Sequence, residues 1–400
     1  MKILLVHRFF YPDSPPYAKI LEDMRQLFIK EGHDVDVLSS KPSYKKNDRL
    51  KQEKFVTKET LNSTIFRLPV LKSNKESLNK LFNFLWFPLI VFCFLIFKKK
   101  YDIVTVSTNP PVILSFFVAL ASKIKKNKLI YHYMDIHPEI GNISGEFKNK
   151  TIFNILKKMD NFTCRTAAKI VVLSSDMKNS LLKRDPKLEN KIEIINNYDL
   201  SDGEKSTETF FTEGKDKKRI VFTGNIGRFQ NLESLINAIK TYGCIENLEL
   251  IFVGEGKNLD SLKELASGLN CVKFIPHQPV SIARKIIEEA HMGIVSLEKE
   301  IIKYAYPSKT MTYLAEGTPI LVCIDDESEL SNMVNNLALG ISVKPSNLKQ
   351  IHDIFSELSK DNLSFEKEHI IETFNKNFHK NIFNKKFLTL LSINKDSNGK

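Results

Sequence analysis

The stretch Tyr304-Ala-Tyr-Pro-Ser-Lys-Thr-Met-Thr-Tyr-Leu-Ala-Glu-Gly-Thr-Pro-Ile-Leu321 indicates how the second half of the chain folds. Pro307 predicts the start of a short helix over residues 309–316, because proline is favoured in a first helical turn. Gly317 ends that helix, and residues 319–324 follow as a buried strand. A helix and strand in this order are typical of an α/β sheet.

A lysine in the first turn of the predicted helix is unexpected. The unpaired backbone N–H groups and the helix dipole already make that end electropositive. A bound anion would resolve the conflict, so Ser308 and Lys309 are candidate ligands of a phosphate or diphosphate. The alternative is a solvated surface helix with an incidental lysine.

The length and charge of the chain indicate two domains, one of them basic. The 400 residues are enough for two cores. Residues 1–200 contain 34 Lys and Arg against 20 Asp and Glu, whereas the remainder contains 25 against 27. The net +14 of the first half predicts contact with phospholipid headgroups, a lipid-linked pyrophosphate or nucleic acid, unless it reflects only a general enrichment in lysine.

The cysteines show no pairing or metal-binding pattern. They are scattered, without a CxxC pair or a histidine at metal-ligand spacing, at positions 93, 164, 244, 271 and 323. We therefore expect no metal, reduced thiols and a cytosolic location. Residues 2–6 are too short for a signal peptide and predict a first buried strand.

The first half begins with a strand, helix and strand over residues 2–6, 17–31 and 33–38. Loops that follow such strands form the binding site in open α/β sheets. The loop over residues 7–16 is thus a candidate ligand surface, or only a stiff connection.

The segment from Leu81 to Phe97 is uncharged over 17 residues, with lysines on both sides. It is marginal for a spanning helix, which needs about 20 apolar residues, and Pro88 interrupts it. We expect a helix or hairpin that dips into the cytoplasmic leaflet, pinned by the lysines and by Trp86. A buried core helix and a transmembrane span are the alternatives.

Polar residues cluster after a strand predicted over residues 128–133. Asp135, His137 and Glu139 lie where this architecture places catalytic groups. Asp135 or His137 could act as a general acid or base, or hold a substrate hydroxyl. The alternative is a helix cap with a satisfied histidine.

The same alternation restarts after a polar stretch, predicted to be a linker, over residues 199–218. In the turn after the next strand, Gly224 and Gly227 would let the backbone approach a ligand, and Arg228 could reach a phosphate. A final helix over about 372–391 has an apolar face and is expected to pack back across both domains.

The order and spacing of several motifs resemble the family 4 glycosyltransferases of the GT-B fold, in the branch that builds bacterial O-antigen, capsule and related surface sugars. In the first half the motifs are Met1-Lys-Ile-Leu-Leu-Val6, Glu31-Gly-His-Asp-Val-Asp-Val-Leu38, Ser107-Thr-Asn-Pro-Pro111 and Asp135-Ile-His-Pro-Glu139. In the second half they are Phe222-Thr-Gly-Asn-Ile-Gly227, Phe252-Val-Gly-Glu-Gly256, Phe274-Ile-Pro-His-Gln-Pro279, Pro307-Ser-Lys309 and Tyr313-Leu-Ala-Glu-Gly-Thr-Pro319.

The resemblance implies an α/β chain with two facing, doubly wound Rossmann-like domains, the first for an acceptor and the second for a nucleotide-sugar. The expected domains are residues 1–198, the linker 199–218, residues 219–371, and a helix over 372–393 that crosses back to the first. The resemblance also implies sugar transfer with retention, without a metal or cofactor, because basic side chains and a helix N-terminus neutralise the diphosphate. The expected donor is a UDP-linked N-acetylated or amino sugar.

The expected partners are a polyprenyl-diphosphate-linked acceptor and the inner face of the cytoplasmic membrane, and no nucleic acid. The expected catalytic residues are Asp135, His137, Arg228 and Lys309. The expected donor contacts are Gly224, Asn225, Gly227, Arg228, Gly254, Glu255, His277, Gln278, Tyr306, Pro307, Ser308, Lys309 and Thr312. The expected acceptor contacts are Ser14, Pro15, Pro16, Tyr17, Asn109 and Glu139.

The sequence departs from the family pattern at three places. The usual Arg and Lys of the first glycine loop in the second domain fall on Asn225 and Gln230, so Arg228 and Lys309 are expected to replace them. The paired glutamates, separated by seven residues, fall on Tyr304 and Thr312. In the first domain, residues 14–17 replace the glycine loop.

Three other functions compete with this hypothesis. A nucleotide-sugar 2-epimerase of the same fold would have no use for the uncharged segment. A nucleic-acid-binding protein would interleave its lysines with exposed aromatic residues, whereas here they are dispersed. A non-catalytic sugar-binding subunit is the third, and would tolerate loss of Lys309.

Overall fold

The computed structural model describes residues 1–13, 15–42, 56–60, 62–70, 78–98, 100–145, 147, 149–201, 206–214, 216–324 and 327–391. The chain forms two compact units. The first consists of Met1–Asn196 together with the chain from Phe383 onwards, and the second of Asn197–Ile382. Residues 199–201 and 206–214, expected in a linker, belong to the second unit.

The first unit contains a mostly parallel sheet. Its strands are β1 (Lys2–Val6), β2 (Asp34–Ser40), β3 (Val56–Thr60), β4 (Ser63–Leu68), β5 (Ile103–Ser107), β6 (Lys128–His132), β7 (Lys169–Val172) and β8 (Ile192–Ile194). They lie in the order β3-β4-β2-β1-β5-β6-β7-β8, and β3 runs antiparallel to β4. The apolar residues of β1 are fully buried, as expected for a strand covered on both faces.

Helices connect these strands. They are α1 (Pro16–Lys30), α2 (Leu78–Phe97), α3 (Ile113–Lys125), α4 (Glu139–Ile143), α5 (Lys150–Thr166) and α6 (Ser175–Arg184). Helix α1 begins with a proline at its first position, where the missing N–H costs nothing. It is followed by Gly32 with a φ of +79°, so both of its ends follow from the sequence.

The uncharged segment forms one helix, α2, with Pro88 inside it. Phe87, Val91 and Leu95 are buried in the first unit, and the opposite face of the helix is exposed. The segment is therefore neither a wholly buried core helix nor a hairpin. Among the residues that the structure describes, no helix combines the length and apolarity that crossing a bilayer requires.

The second unit contains a parallel sheet. Its strands are β9 (Lys218–Thr223), β10 (Leu248–Val253), β11 (Val272–Ile275), β12 (Met292–Ser296), β13 (Ile320–Cys323) and β14 (Gly340–Val343). Their order is β11-β10-β9-β12-β13-β14. The chain moves outward from β9 to β11, then returns to β12 and moves the other way. Such a reversal leaves a crevice at the carboxyl ends of β9 and β12, where α/β sheets bind ligands.

The helices of this unit are α7 (Glu233–Tyr242), α8 (Leu259–Leu265), α9 (Val280–Glu288), α10 (Lys309–Ala315), α11 (Glu329–Asn336), α12 (Leu348–Ser359) and α13 (Lys367–Phe378). Gly293 in β12 faces the ring of Tyr313, and a Cβ there would lie 2.7 Å from two ring atoms. The doubly wound α/β prediction is confirmed in each unit.

The predicted C-terminal helix is two helices. Helix α13 ends before His379, whose backbone is extended, and α14 (Lys380–Leu391) follows. From Phe383 onwards α14 belongs to the first unit, where the Phe387 ring lies 5.2 Å from that of His132. The apolar periodicity continues through the break, which explains why the sequence suggested one helix.

A disulfide joins Cys244, just after α7, to Cys271, just before β11. It corrects the expectation of thiols without partners, and it removes the argument from cysteine pattern to a reducing compartment. The two residues are 27 positions apart, and only the pairing of β10 with β11 brings their loops together. Sequence spacing gave no sign of this.

We expect Cys244→Ser to lower the melting temperature under non-reducing conditions, because it releases a loop whose closure stabilises the fold by about 3 kcal/mol. Thermal unfolding with and without reductant measures the effect. The reduced wild type should melt like the reduced variant. Equal melting temperatures of the wild type and the Cys244→Ser variant without reductant would show that the disulfide does not form.

Candidate active site

Lys309 lies against the loop that follows β9. Gly224 in this loop has a φ of +118°, and a Cβ there would lie 2.6 Å from Lys309 Cε and 3.1 Å from Nζ. The ammonium also lies 4.0 Å from the centre of the Phe222 ring. The lysine side chain therefore occupies the space that the absent side chain of Gly224 leaves at the crevice.

The Lys309 ammonium has no ionic partner in the part of the chain that the structure describes. Among the described residues, no carboxylate pairs with its ammonium and no group accepts a hydrogen bond from it. Burial lowers the pKa of Lys309 to about 7. A cation without a partner in a partly buried position gains most from a bound anion, which would restore its charge.

Two glycine loops fix the position of this site by backbone contact. A Cβ on Gly254, whose φ is +142°, would lie 1.9 Å from the carbonyl oxygen of Gly224. A Cβ on Gly256 would lie 2.0 Å from that of Ile226. The Gly224 amide donates to the Val253 carbonyl at 2.8 Å. Gly254 and Gly256 are thus required for loop packing.

Gly227 does not present an open backbone to a ligand, which corrects the prediction for this residue. Its N–H donates to Gln230 Oε1 at 2.9 Å, and a Cβ there would meet the Asn225 side chain at 2.7 Å. At Gly224 the space that a side chain would occupy is filled by Lys309. Both glycines of this loop therefore leave room for side chains of the protein itself.

Arg228 extends from the same loop and is exposed. In the described part of the chain no side chain pairs with its guanidinium. Next to it, the Phe229 carbonyl accepts a hydrogen bond of 2.7 Å from the amide of Glu298, which follows β12. This bond ties the loops after β9 and β12 together, so an unpaired arginine and an unpaired lysine lie on elements that border one crevice.

A buried ion network around Arg284 includes Thr312, one of the two positions where the family pattern has a glutamate. Arg284 Nη1 donates to Asp199 Oδ2 at 2.9 Å, and its Nη2 pairs with Glu316. The Thr312 hydroxyl donates to Asp199 Oδ1 at 3.2 Å. Thr312 and Glu316 therefore stabilise the unit internally, and Thr312, expected to contact the donor, is already engaged.

The other expected donor contacts differ in accessibility. Tyr306 is buried, and the Gln278 amide donates to the Pro276 carbonyl at 3.1 Å. Pro307 is half-buried. Four of these residues are exposed: Asn225, Glu255, His277 and Ser308. A cavity of about 490 Å³ borders the loops after β9 and β12 but contains neither Lys309 nor Gly224, and is lined by Asn231, Glu233, Ser234, Asn237, Lys299, Lys344, Pro345, Ser346 and Leu348.

In the first unit, β1, β5 and β6 are neighbours, so the loops that follow them lie at one edge of the sheet. Asn109 follows β5 and is half-buried. Tyr17, expected at this surface, is instead buried: its hydroxyl lies 3.1 Å from His132 Nδ1. Pro15 is half-buried and Pro16 is exposed, whereas Ser14 lies outside the described residues.

Asp135 follows β6 and is half-buried. Within the described ranges its carboxylate has no hydrogen-bond donor and no cation as a partner. Burial raises the pKa of Asp135 to about 6. The carboxyl group can therefore take and release a proton near neutral pH, as a general base or acid requires.

His137 is neutral at pH 7, because burial and the nearby Arg184 lower its pKa to about 4. Its Nδ1 is buried, and no described residue bonds to it. A neutral imidazole with a vacant nitrogen can bond a hydroxyl group. Asp135 and His137, two residues apart, are the groups of this edge best suited to chemistry.

A network missed by the sequence analysis holds this loop. Arg184 donates to the His137 carbonyl at 3.1 Å, pairs with Asp160 at 2.6 Å, and also pairs with Glu139. Asp160 accepts further bonds from two tyrosines, Tyr131 at 2.9 Å and Tyr133 at 2.6 Å. Glu139, an expected acceptor contact, is therefore already bound to a buried cation.

Metal ligation is not built into the described residues. These residues contain no group of three or more His, Cys, Asp or Glu side chains that could hold a metal ion.

Two family models match the chain, and they meet between the two halves. Residues 18–198 match the model described as "Glycosyltransferase Family 4", and residues 205–378 match "Glycosyl transferases group 1".

The chain is also similar to two bacterial proteins. It is 25% identical over 276 residues to "Probable glycosyltransferase WbjE" of Pseudomonas aeruginosa, covering 66% of this chain and 68% of that protein. It is 21% identical over 372 residues to "Putative colanic acid biosynthesis glycosyl transferase WcaI" of Escherichia coli K12, covering 88% of this chain and 90% of that protein. Among solved structures, Anabaena HepE in complex with UDP has a TM-score of 0.70 at 15% identity, covering 98% of this chain and all of that one.

We expect Asp135→Asn to raise the melting temperature at pH 7.5 and to raise it less at pH 4.5. The folded-state pKa of Asp135 lies above its ordinary value, so this carboxyl lowers stability progressively as the pH rises from about 4 to 6. The gain should be about 1–2 kcal/mol. Thermal unfolding at the two pH values measures it.

Asp160→Asn is the matched control, because the same substitution removes a carboxylate that is fully paired. It should lower stability by about 3 kcal/mol, since the buried Arg184 charge would keep only Glu139 of its two carboxylate partners. A loss of stability in both variants would mean that Asp135 has a partner.

Proposed function

Because this chain belongs to the glycosyltransferases that join a family 4 domain to a group 1 domain, we propose that it transfers a sugar from a nucleotide-sugar to a lipid-linked acceptor in bacterial surface polysaccharide biosynthesis. The names of its relatives WbjE and WcaI support this reaction and setting. The observation that carries the proposal is the unpaired Lys309 ammonium against Gly224.

We assign donor binding to the second unit. A nucleotide-sugar carries a diphosphate, and the crevice between β9 and β12 offers Lys309 and Arg228 as cations that no carboxylate of the described residues pairs with. Arg228 can bind phosphate oxygens in a planar fork, and Lys309 acts as a point charge. UDP is the proposed nucleotide, since HepE, which has this fold, binds UDP. The sugar is an N-acetylated or amino sugar.

The acceptor hydroxyl oxygen forms a bond to the anomeric carbon, the bond from that carbon to the diphosphate breaks, and its electron pair stays on the diphosphate. Negative charge thus grows on the leaving group, where Lys309 and Arg228 stabilise it without a metal. The hydroxyl attacks on the face from which the nucleotide leaves, so that the anomeric configuration is retained.

We assign acceptor binding to the first unit. Asp135 is the group that receives the proton of the acceptor hydroxyl, since its carboxylate has no competing partner. His137, neutral and with a vacant Nδ1, orients a sugar hydroxyl. The acceptor is carried on a polyprenyl diphosphate, and the basic first half supports work at the inner face of the cytoplasmic membrane.

Lys309→Met should weaken UDP binding at pH 7 at least tenfold. In the wild type, UDP affinity should fall as the pH rises from 7 to 9, by up to tenfold per unit, because the free lysine loses its proton above about pH 7. Calorimetric titration in buffers of different ionisation enthalpy should detect proton uptake on binding at pH 8, which the variant should lack.

Lys263→Met is the matched control, since Lys263 is an exposed lysine on α8 of the same unit. It should leave UDP affinity and its pH dependence unchanged. Binding by Lys309→Met that equals the wild type would overturn the assignment of the diphosphate to this site.

Transfer itself is tested with a panel of UDP-sugars and a polyprenyl-diphosphate-linked acceptor. We expect release of UDP that survives excess EDTA, and a product whose anomeric configuration, read by NMR coupling constants, equals that of the donor. Asp135→Asn should reduce the transfer rate at least a hundredfold while leaving UDP affinity intact. An inverted product, or loss of activity in EDTA, would contradict the mechanism.

A further inference from the structure

Helix α2 exposes a continuous apolar stripe. Phe82, Leu85, Trp86 and Leu89 are 47%, 53%, 38% and 43% exposed, and Cys93 is exposed one turn further on. This spacing places all five residues on one helical face. Within the stripe the Phe82 and Trp86 rings stack at 5.4 Å. Exposed apolar patches of this kind mark interaction sites.

The stripe continues onto the neighbouring helix end. Phe97 is 87% exposed at the end of α2, and Ile124 is 58% exposed near the end of α3. Lys125 holds these two ends together, because its ammonium donates to the carbonyls of Ile96 and Lys98 at 3.1 Å each. From Phe82 to Phe97 the helix extends about 22 Å.

Lysines border the apolar face at this end. Four of them are exposed: Lys98, Lys100, Lys123 and Lys126. An apolar stripe with a cationic border complements a bilayer of anionic phospholipids, where acyl chains take the apolar groups and headgroups take the ammonium groups. A second copy of the chain fits less well, because two such faces would bring lysines against lysines.

The other end of the stripe lies beside the candidate acceptor loops. Phe84, in the first turns of α2, packs in one apolar cluster with Val112, Leu156 and Phe147. The Phe147 ring lies 6.5 Å from that of His137, edge to face. Phe84 and Phe147 pack against the same cluster, so the first turns of α2 lie near the His137 loop.

We infer that the outer face of α2, with the lysines at its end, docks on an anionic phospholipid surface. The helix lies along the headgroup boundary and inserts Phe82, Leu85, Trp86 and Leu89 among the acyl chains. A consequence that rests on the proposed function is that a polyprenyl-linked acceptor reaches the Asp135 loop while its lipid stays in the bilayer.

Cys93 allows a direct test in the full chain. It is the exposed thiol, since Cys164 and Cys323 are buried and Cys244 is bonded to Cys271. An environment-sensitive fluorophore on Cys93 should shift to shorter wavelength on vesicles of phosphatidylglycerol and phosphatidylethanolamine. The shift should be weak on pure phosphatidylcholine and should decrease with salt.

A variant separates docking from folding. Leu85→Ser with Leu89→Ser should lower vesicle partitioning at least tenfold, and Lys100→Gln with Lys126→Gln about fivefold per lysine. The control, Val280→Ser with Leu337→Ser, changes two apolar residues of the second unit that are 65% and 38% exposed, and should partition like the wild type. UDP affinity, read in each variant, confirms that the chain is folded.

Several outcomes overturn the inference. One is a folded Leu85, Leu89 variant that partitions like the wild type. Another is a wild-type dimer, seen by light scattering, that this variant dissociates without any change in vesicle binding, which would make the face a self-association surface. A third is equal binding to neutral and anionic vesicles.

The inference and the proposed function fail separately. If the Leu85, Leu89 variant no longer binds vesicles but still transfers sugar to a water-soluble, short-chain acceptor, the docking surface is supported. Transfer by a wild type that binds no vesicles leaves the function in place and removes the surface. A wild type that binds vesicles but transfers no sugar keeps the docking surface and removes the proposed function.

Discussion

The close approach of Gly254 to the carbonyl of Gly224 is the constraint on which the proposed donor site depends. Two strand ends of a parallel sheet lie about 4.8 Å apart, and side chains on both following loops would force those loops away from each other. Glycine at 254 and 256 lets the backbones pack directly, and hydrogen bonds then fix the Gly224 loop. The remaining space beside Gly224 takes the Lys309 side chain. A charged group is thus held at a crevice by the absence of side chains around it.

Two buried arginines of the described residues are paired with carboxylates, whereas two other charged groups are not, and the difference is informative. Arg184 is surrounded by Asp160, Glu139 and a carbonyl oxygen, and Arg284 by Asp199 and Glu316. Asp135 and Lys309 lack such partners in the described residues, and burial moves the pKa of each toward neutrality. Charges that lower the stability of the free protein are typical of sites that a substrate completes. Asp135 can take up a proton, which the proposed acceptor hydroxyl must lose. Lys309 can carry positive charge, which the proposed diphosphate needs for stabilisation.

Local sequence could predict the strands, their following loops and the anomaly of Lys309, because those features depend on neighbours in the chain. It could not predict the role of Arg184, which lies 47 residues beyond His137 and meets it only through the order of β6 and β7. Tyr17 was expected at the surface since it follows a loop, yet the adjacency of β1, β5 and β6 buries it against His132. The motif position of Thr312 predicts a donor contact, whereas the structure places Thr312, together with Glu316, in the Arg284 network. Cys244 and Cys271 show the same limit, since strand pairing alone joins them.

Helix α2 shows why composition could not choose between core, hairpin and membrane. A segment that is apolar all round carries no periodic signal, so one face cannot be told from the other before the packing is known. The packing divides it: Phe87, Val91 and Leu95 fill the first unit, and the stripe from Phe82 to Cys93 remains outside. Four residues of that stripe are 38–53% exposed, although polar residues are the usual choice at such positions. The large apolar side chains of this stripe remain about half exposed and are bordered by lysines, a combination that complements a surface both apolar and anionic.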